Sequence, residues 1–346
     1  MTPTIVVHST PAEFLTAVAE AGGDLPLTNT SLGPIFELWA GVATPAGASA
    51  KAEEAADAKL QLFVTVWDHG ELKLVFSRLG WRKCDLTSPL PPSTYPSLAP
   101  LLSLLASHLL ALPPFSTNPS LLRSVVGPTE LVFSLLKAWP IPTAEPKEDD
   151  RLAQQTLRLL SLSTLPPPAP LPAGHSVSRA TEKNLTPNDT TSLCKLLDGF
   201  FSWDADVPPV DRLPKLLDTL RNGTLFIYRI GNGEIAAFVN VGRPTARTIA
   251  IRGVYTRRES RGQGIAERAV REVSRCYLAA TSTEYNFAKE PPAWDEETRW
   301  GGRRAVCLFV AEENPKAFGA YLRAGFTAGK EKWVDRSLVG VEPGSW

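Results

Sequence analysis

The chain has 346 residues, enough for two domains or one large one with a substantial buried core. Lysine plus arginine and aspartate plus glutamate both number 36, so the formal net charge is zero and no general attraction to nucleic acid is implied. The four cysteines are widely spaced without a Cys-x-x-Cys pair, which disfavours a zinc site and a disulfide framework.

No charged region followed by an apolar run opens the chain, so no signal peptide is visible. The most apolar stretch starts at Leu101 and stops at Pro113, which is shorter than the about 20 residues needed to cross a bilayer. We therefore expect a protein of a reducing, cytoplasmic setting, with neither a membrane nor a nucleic acid as partner.

Apolar spacing and turn residues predict the elements of the first half. In chain order they are a helix at 11–20, a loop or loosely packed helix at 41–59, a hairpin at 60–80, a leucine-rich helix after the prolines of 88–96, a helix from 127–129 to 139, and a strand at 151–162 packing on this half. The proline-rich residues 166–174 are predicted to be a stiff linker between domains 1–165 and 175–346.

The second half is predicted in the same way. It reads as a strand at 176–179, helices at 187–201 and 210–221, a hairpin at 225–242, a strand at 247–256, a glycine turn followed by a helix, an inserted loop at 281–304, a buried strand at 305–310, a helix at 315–324 and a strand at 331–339. Its hairpin resembles that of the first half, with the Gly70-Glu71 turn matching Gly233-Glu234. The match fits an ancient duplication, or a chance likeness between two ordinary hairpins.

The glycine turn runs from Arg261 to Ala266 and stands between a strand and an amphipathic helix. Glycines let the chain pass close to a bulky anion, and the unpaired N–H groups at a helix start carry partial positive charge. The helix that follows has an apolar face and an opposite polar face, on which Glu267 and Arg271 lie four residues apart. The turn lacks the Gly-Lys-Ser/Thr of a Walker loop and the third glycine of a dinucleotide fingerprint. The pattern predicts a phosphate cradle of another type.

This stretch resembles the acetyl-CoA motif of the GNAT N-acetyltransferase superfamily, Arg/Gln-x-x-Gly-x-Gly/Ala, at Arg261, Gly264 and Ala266. A second resemblance lies downstream, in Asn314-Pro315-x-Ala317, Tyr321 and Gly325-Phe326. More narrowly, the chain is similar to two-domain predicted acetyltransferases. It differs from many of them at Arg257-Arg258, where they show prolines, and in the insertion 281–304.

The resemblance implies a mixed α/β (α+β) fold of two GNAT-like halves, each a mixed, mainly antiparallel sheet flanked by helices. The acetyl-CoA site would lie in the C-terminal half, and the N-terminal half would be degenerate. The first half has prolines where the cradle would be, and proline offers no N–H to a phosphate, so we expect that half to be structural. It would help to wall the acceptor site.

The resemblance also implies a set of site residues, with acetyl-CoA as co-substrate and no metal. The cofactor-binding residues would be Val254, Tyr255, Thr256, Arg261, Gly262, Gln263, Gly264, Ile265, Ala266, Asn314 and Ala317. The strands on either side of the pantetheine are expected to splay, with a bulge at Gly253. Tyr321 is either the general acid for the CoA thiolate or a packing residue. Asn314 would chiefly cap its helix.

The sequence indicates the residues that would bind the acceptor less clearly than those that would bind the cofactor. The loop after the first helix of the second half carries Phe201, Trp203 and Asp204, which suit a cationic amine but also suit ordinary loop packing. Glu312, together with Glu234 and Glu313, is a candidate base, and each also fits a solvated surface charge.

These features predict an N-acetyltransferase acting on a small-molecule or amino-acid-like amine within a ternary complex. The alternatives are a peptide or protein N-acetyltransferase, and an inactive sensor or scaffold that binds CoA.

Overall fold

The computed structural model describes residues 2–41, 60–80, 83–113, 115–144, 154–161, 163–201, 212–278 and 302–341. The first half contains β1 (Thr4–His8), α1 (Pro11–Glu20), α2 (Asn29–Trp39), β2 (Gln61–Asp68), β3 (Glu71–Leu79), β4 (Cys84–Thr87), α3 (Ala99–Ala111), β5 (Ser124–Pro128), α4 (Thr129–Lys137) and β6 (Gln154–Ser161). The second half contains β7 (Ser176–Arg179), α5 (Pro187–Phe201), α6 (Leu213–Arg221), β8 (Leu225–Arg229), β9 (Ile235–Gly242), β10 (Thr248–Thr256), α7 (Ile265–Tyr277), β11 (Ala305–Ala311), α8 (Pro315–Arg323) and β12 (Thr327–Ser337).

Among the described residues, the two halves follow one order: strand, two helices, three strands, helix, strand, helix and strand. Both predicted hairpins are present and occupy the same place in this order. The repetition favours a duplication over a chance likeness between two hairpins. It also confirms the expected mixed α/β fold of two related halves.

Local chemistry accounts for the predicted helix starts. Thr10 caps α1 by accepting a hydrogen bond from the Glu13 N–H, and the Glu13 carboxylate accepts one from the N–H of Ser9, the residue before the cap. Pro11 stands at the first helical position, where its missing N–H costs nothing. In the described ranges, no helix is long and apolar enough to cross a membrane.

The strands form one continuous sheet in the order β1-β2-β3-β4-β5-β12-β6-β11-β10-β9-β8-β7. Each half therefore contributes its last strand, β6 or β12, to the part of the sheet that the other half forms. β6 pairs antiparallel with β11, and β12 pairs antiparallel with β5. The two exchanged strands also pair with each other, so the halves are joined through the middle of the sheet.

This exchange corrects one expectation. The strand predicted at 151–162 is present as β6, but it does not pack on the first half, because both of its neighbours belong to the second. The final strand also begins at Thr327, four residues before the predicted start.

The predicted loop at 41–59 and the insertion at 281–304 lie almost wholly outside the described residues. The division at 166–174 stays a prediction, and these residues contain no helix or strand.

Of the α-helices in the described residues, four lie on each face of the sheet. α1 and α2 share a core with Phe63 on β2, whereas α3 and α4 share one with the adjacent Val64, which points to the other face. In the second half, Phe238 packs with α5, and its neighbour Val239 packs in the core of α7. A small central cluster of Val126, Ala250, Cys307 and Trp333 lies on the face of α1, α2, α5 and α6.

The halves also meet where α2 approaches the β9–β10 connection. Asn29 donates a 2.7 Å hydrogen bond to the Arg243 carbonyl oxygen, and Glu37 accepts one of 2.7 Å from the Arg243 N–H. Asp24 accepts a 2.6 Å hydrogen bond from the Thr245 hydroxyl, and burial raises the pKa of this carboxyl. The first half therefore buttresses the connection that leads into β10, the strand that precedes the glycine turn.

Candidate functional site

β10 and β11 diverge where the sequence predicts an opening. Their parallel pairing runs from Thr248 opposite Ala305 to Ile251 opposite Leu308. β10 continues to Thr256 and β11 to Ala311, but these described residues no longer pair with each other. On its other side β10 stays paired with β9, with a shift in register between Ile251 and Gly253. Both the predicted splay and the predicted bulge are confirmed.

Gly253 has a second role that the sequence did not reveal. A Cβ placed there would lie 3.1 Å from the ring of Phe200 on α5, so a side chain would press against that helix. Gly199 on α5 makes the reciprocal approach, because a Cβ there would lie 2.3 Å from the Tyr255 hydroxyl oxygen. These two glycines let α5 lie close against the end of β10. No local pattern in the sequence signals this contact, because the two glycines lie on different elements.

The glycine turn connects β10 to α7 through a short 3-10 turn at Arg258–Ser260. Gly262 and Gly264 both have positive φ, at 78° and 73°, a conformation in which glycine avoids the strain of a side chain. Gly264 is the N-cap of α7 and offers no side chain to the helix amides. Among the described residues, the N–H groups of residues 262–266 donate to no acceptor. They form an open set of donors at a positive helix end.

The cradle is accessible and suits an anion. A Cβ built on Gly262 would meet no atom within 4 Å, and one on Gly264 would meet only the Arg268 guanidinium, at 3.6 Å. Arg268 donates a 2.8 Å hydrogen bond to the Gln263 carbonyl oxygen and so places a cation beside the turn. Unpaired amides, a helix N-terminus and a neighbouring guanidinium are the groups that bind a diphosphate. The predicted cofactor residues 261–266 therefore fit the diphosphate of CoA.

Arg261 shapes this turn through its own side chain. Its Nε donates a 3.0 Å hydrogen bond to the Thr256 carbonyl oxygen, and its guanidinium lies 5.2 Å from the ring centroid of Tyr255. Tyr255 in turn stacks on Phe238 at 6.3 Å. Arg261 thus ties the start of the turn to the end of β10, and Tyr255 packs towards α5 on the sheet face opposite α7.

α8 brings the second motif to the same place. Asn314 caps it by accepting a 3.1 Å hydrogen bond from the Ala317 N–H, as predicted. Ala317 and Tyr321 pack against the core that contains Ile265 of the cradle helix, and Val254 of β10 packs against that core as well. The structure therefore gathers residues of β10, α7 and α8 around one apolar cluster.

Tyr321 fulfils part of both interpretations proposed for it. Its half-buried ring packs 6.1 Å from that of Phe326, as expected of a core residue. Its hydroxyl has no hydrogen-bond partner among the described residues, and burial raises its pKa to about 12. The phenol thus stays protonated at neutral pH and can donate a hydrogen bond to an incoming group.

Two candidate bases are already engaged by cations. Glu234 pairs with Arg257 at 3.0 Å, and this hydrogen bond lowers the pKa of the carboxyl. Glu312 pairs with Lys332 at 3.3 Å. Glu313 is exposed. A carboxylate with a lowered pKa is a poor base, which disfavours Glu234.

The predicted acceptor residues are described only in part. Phe201 ends α5 and packs with the α5–α6 core, and the Arg212 guanidinium lies 4.8 Å from its ring centroid. Arg212 also donates a 2.9 Å hydrogen bond to Asp198. Trp203 and Asp204 lie outside the described residues.

The equivalent place in the first half is closed. A Cβ on Gly127 of β5 would lie 2.1 Å from the Leu86 carbonyl oxygen of β4, so these strands stay in close contact. Prolines, including Pro91, Pro92 and Pro96, fill the connection to α3, and Tyr95 is buried within it. In its described residues, this half therefore shows neither an opening between β4 and β5 nor a glycine turn before α3.

Residues 190–280 match the profile described as the acetyltransferase (GNAT) family. They extend from α5 through β10 and the glycine turn to the end of α7. No curated protein gives a significant match.

Several solved structures are similar to this chain over nearly the whole length of both chains. A GCN5-related N-acetyltransferase from Sphaerobacter thermophilus shares 16% identity, with a TM-score of 0.48 and coverage of 99% of this chain and 98% of its own. A GNAT-family acetyltransferase from Colwellia psychrerythraea shares 13% identity, with a TM-score of 0.46 and coverage of 97% and 99%. A tandem GNAT protein from the clavulanic acid biosynthesis pathway shares 13% identity, with a TM-score of 0.42 and coverage of 97% and 98%.

The glycine turn lies inside the range 190–280, so the residues that resemble the acetyl-CoA motif are among those that match the acetyltransferase (GNAT) family.

Proposed function

We propose that this protein is an acetyl-CoA-dependent N-acetyltransferase that acylates a small-molecule or amino-acid-like amine. The observation that carries the proposal is the glycine turn, whose free amides lie beside the open end of the β10–β11 pair. A diphosphate at the turn and a pantetheine arm between the strands would use donors that the fold leaves unpaired. Acetyl-CoA would supply the thioester that the amine attacks.

The residues of this chain have separate tasks in such a reaction. The amides of residues 262–266 hold the diphosphate, and Arg268 adds positive charge. The backbone of Val254 and Thr256, beyond the last β11 partner, offers hydrogen bonds to the pantetheine. A main-chain N–H near Val254 stabilises the oxyanion that develops during acyl transfer.

Tyr321 donates a hydrogen bond to the leaving sulfur. Its pKa of about 12 lies well above that of an ordinary thiol, near 8.5, so complete proton transfer from the phenol is uphill. A hydrogen bond avoids that cost and still stabilises the negative charge that grows on sulfur. The sulfur can then take its proton from the acylated amine or from water.

The experiment has two stages. Titration calorimetry with acetyl-CoA tests the cradle, and thiol release in the presence of small amines, amino acids and lysine peptides tests the acceptor. We expect binding, together with turnover on members of the small-amine or amino-acid set. Turnover confined to peptides would assign the protein to the peptide class, and binding without turnover on any acceptor would favour a sensor. Failure to bind the coenzyme would contradict the whole proposal.

A further inference from the structure

The polar side of α7 is partly covered by the rest of the protein. The side chains of Glu267 and Arg271 are only 19% and 15% exposed. They are covered because α8 lies alongside, and the two helices make polar as well as apolar contacts. Charged side chains with so little exposure require an explanation.

One carboxylate lies at the centre of these contacts. Glu267 Oε1 is 2.6 Å from Arg271 Nη2 on the same helix, and Glu267 Oε2 is 2.8 Å from Arg323 Nε on α8. Arg271 Nη2 also donates a 2.9 Å hydrogen bond to the Arg323 carbonyl oxygen. The contacts close a ring in which each residue touches the other two. Since Arg323 is the last residue of α8, the ring also satisfies a carbonyl at a helix end that lacks an intrahelical partner.

The ring joins the two parts of the candidate site. Glu267 stands three residues after Gly264, in the first turn of the cradle helix. Arg323 stands two residues after Tyr321 on the helix that carries the phenol. A carboxylate so close to the cradle would repel a diphosphate if it were unpaired, and two guanidinium groups neutralise it. The arrangement fixes the distance between the helices without leaving a free negative charge near the cradle.

We propose that Glu267 is a positioning residue, which holds the helix of Tyr321 in register with the glycine turn so that the phenol meets the leaving sulfur. The proposal rests on the function proposed above. Apolar contacts alone let helices slide by fractions of an ångström, whereas a carboxylate bound by two arginines has one preferred geometry. Displacement of a catalytic group by about 1 Å can cost about 10²-fold in rate.

The test uses Glu267→Gln and Arg323→Gln in the full chain. Each should lower kcat about tenfold while the KM for acetyl-CoA stays within about twofold, because the cradle amides are untouched and the phenol is displaced. Glu272→Gln is the matched control, since Glu272 lies on the same helix and only makes a 3.8 Å pair with Arg275. We expect this control to retain the wild-type kcat.

A double-mutant cycle separates positioning from general support of the fold. If Glu267 acts through Tyr321, Glu267→Gln should cause no further loss of kcat in a Tyr321→Phe background. Arg323, which is 62% exposed, gives the same readout if Glu267→Gln fails to fold. Additive losses, or an unchanged kcat in both single variants, would overturn the positioning role and leave the proposed function standing. Absence of turnover by the wild-type protein would overturn both.

Discussion

At the scale of single residues, Tyr321 shows how environment decides a role that sequence leaves open. Its helical spacing predicts a core residue, and the family motif predicts an acid. The structure packs its ring against a core, yet the described residues leave its hydroxyl without a partner. The two interpretations are compatible, because the packing that buries the ring also raises the pKa.

The raised pKa of Tyr321 leads to a prediction about pH. Since this pKa is about 12, the phenol stays protonated from neutral pH to about pH 10, and kcat should show no falling limb from Tyr321 in that range. Tyr321→Phe should lower kcat by about 10²-fold without changing the shape of the profile. The measurement is kcat against pH for both proteins. A falling limb near pH 8 to 9 that disappears in the variant would show that the phenol ionises far more easily.

Glu267 has a second partner, on α8, that the spacing along its own helix does not reveal. Its i, i+4 spacing with Arg271 is typical of an exposed helix pair, and that pair does form. The spacing contains no information about α8, which covers both side chains and whose last residue, Arg323, lies 52 residues after Arg271. Periodicity along one helix cannot reveal a neighbour from elsewhere in the chain.

At the scale of elements, the glycine turn and its helix were predictable because their chemistry is local. Positive φ at Gly262 and Gly264, the start of α7 and the cap at Asn314 all depend on residues within a few positions. The splay of β10 from β11 also followed from the motif. The close approach of α5 at Gly199 did not, since it joins residues more than 50 positions apart.

Gly264→Ala should test the turn. The residue has a φ of 73°, so alanine there costs about 1–2 kcal/mol of backbone strain and should tilt the amides away from the diphosphate. We expect at least a tenfold weaker affinity for acetyl-CoA, measured by titration calorimetry. Gly70→Ala is the control, because Gly70 has a φ of 79° in an open hairpin turn of the first half. Equal affinities in the two variants would contradict the role of the turn.

At the scale of the whole molecule, the first half supports the second without a cradle of its own. Its α2 reaches the β9–β10 connection, where Asn29 and Glu37 bind the backbone of Arg243. Much of the element order was visible from the sequence, but β1, α2, β4 and β5 were not predicted, and neither was the exchange of β6 and β12. Strand partners depend on how two complete sheets meet, and nothing local in residues 154–161 or 327–337 specifies that meeting.

Gly33→Ala should test this contact between the halves. A Cβ at Gly33 of α2 would lie 2.4 Å from the Arg243 Cβ and 2.7 Å from its Cα, so the backbones must separate. We expect a loss of about 1–3 kcal/mol in the free energy of unfolding, measured by denaturant titration. Gly319→Ala on α8 is the control, since its nearest neighbour is the movable Arg323 guanidinium at 3.3 Å. A Gly33→Ala protein as stable as the control would contradict the prediction, because it would show that the contact between α2 and Arg243 accommodates the added methyl group.

The exchanged strands limit how the gene for such a chain can evolve. A gene split between the halves would yield two products, each carrying a strand that belongs in the other's sheet and each lacking the one it needs. Such fragments would present unpaired edges and tend to aggregate. Neither half can therefore be discarded without damage to the other, because each completes the other's part of the sheet.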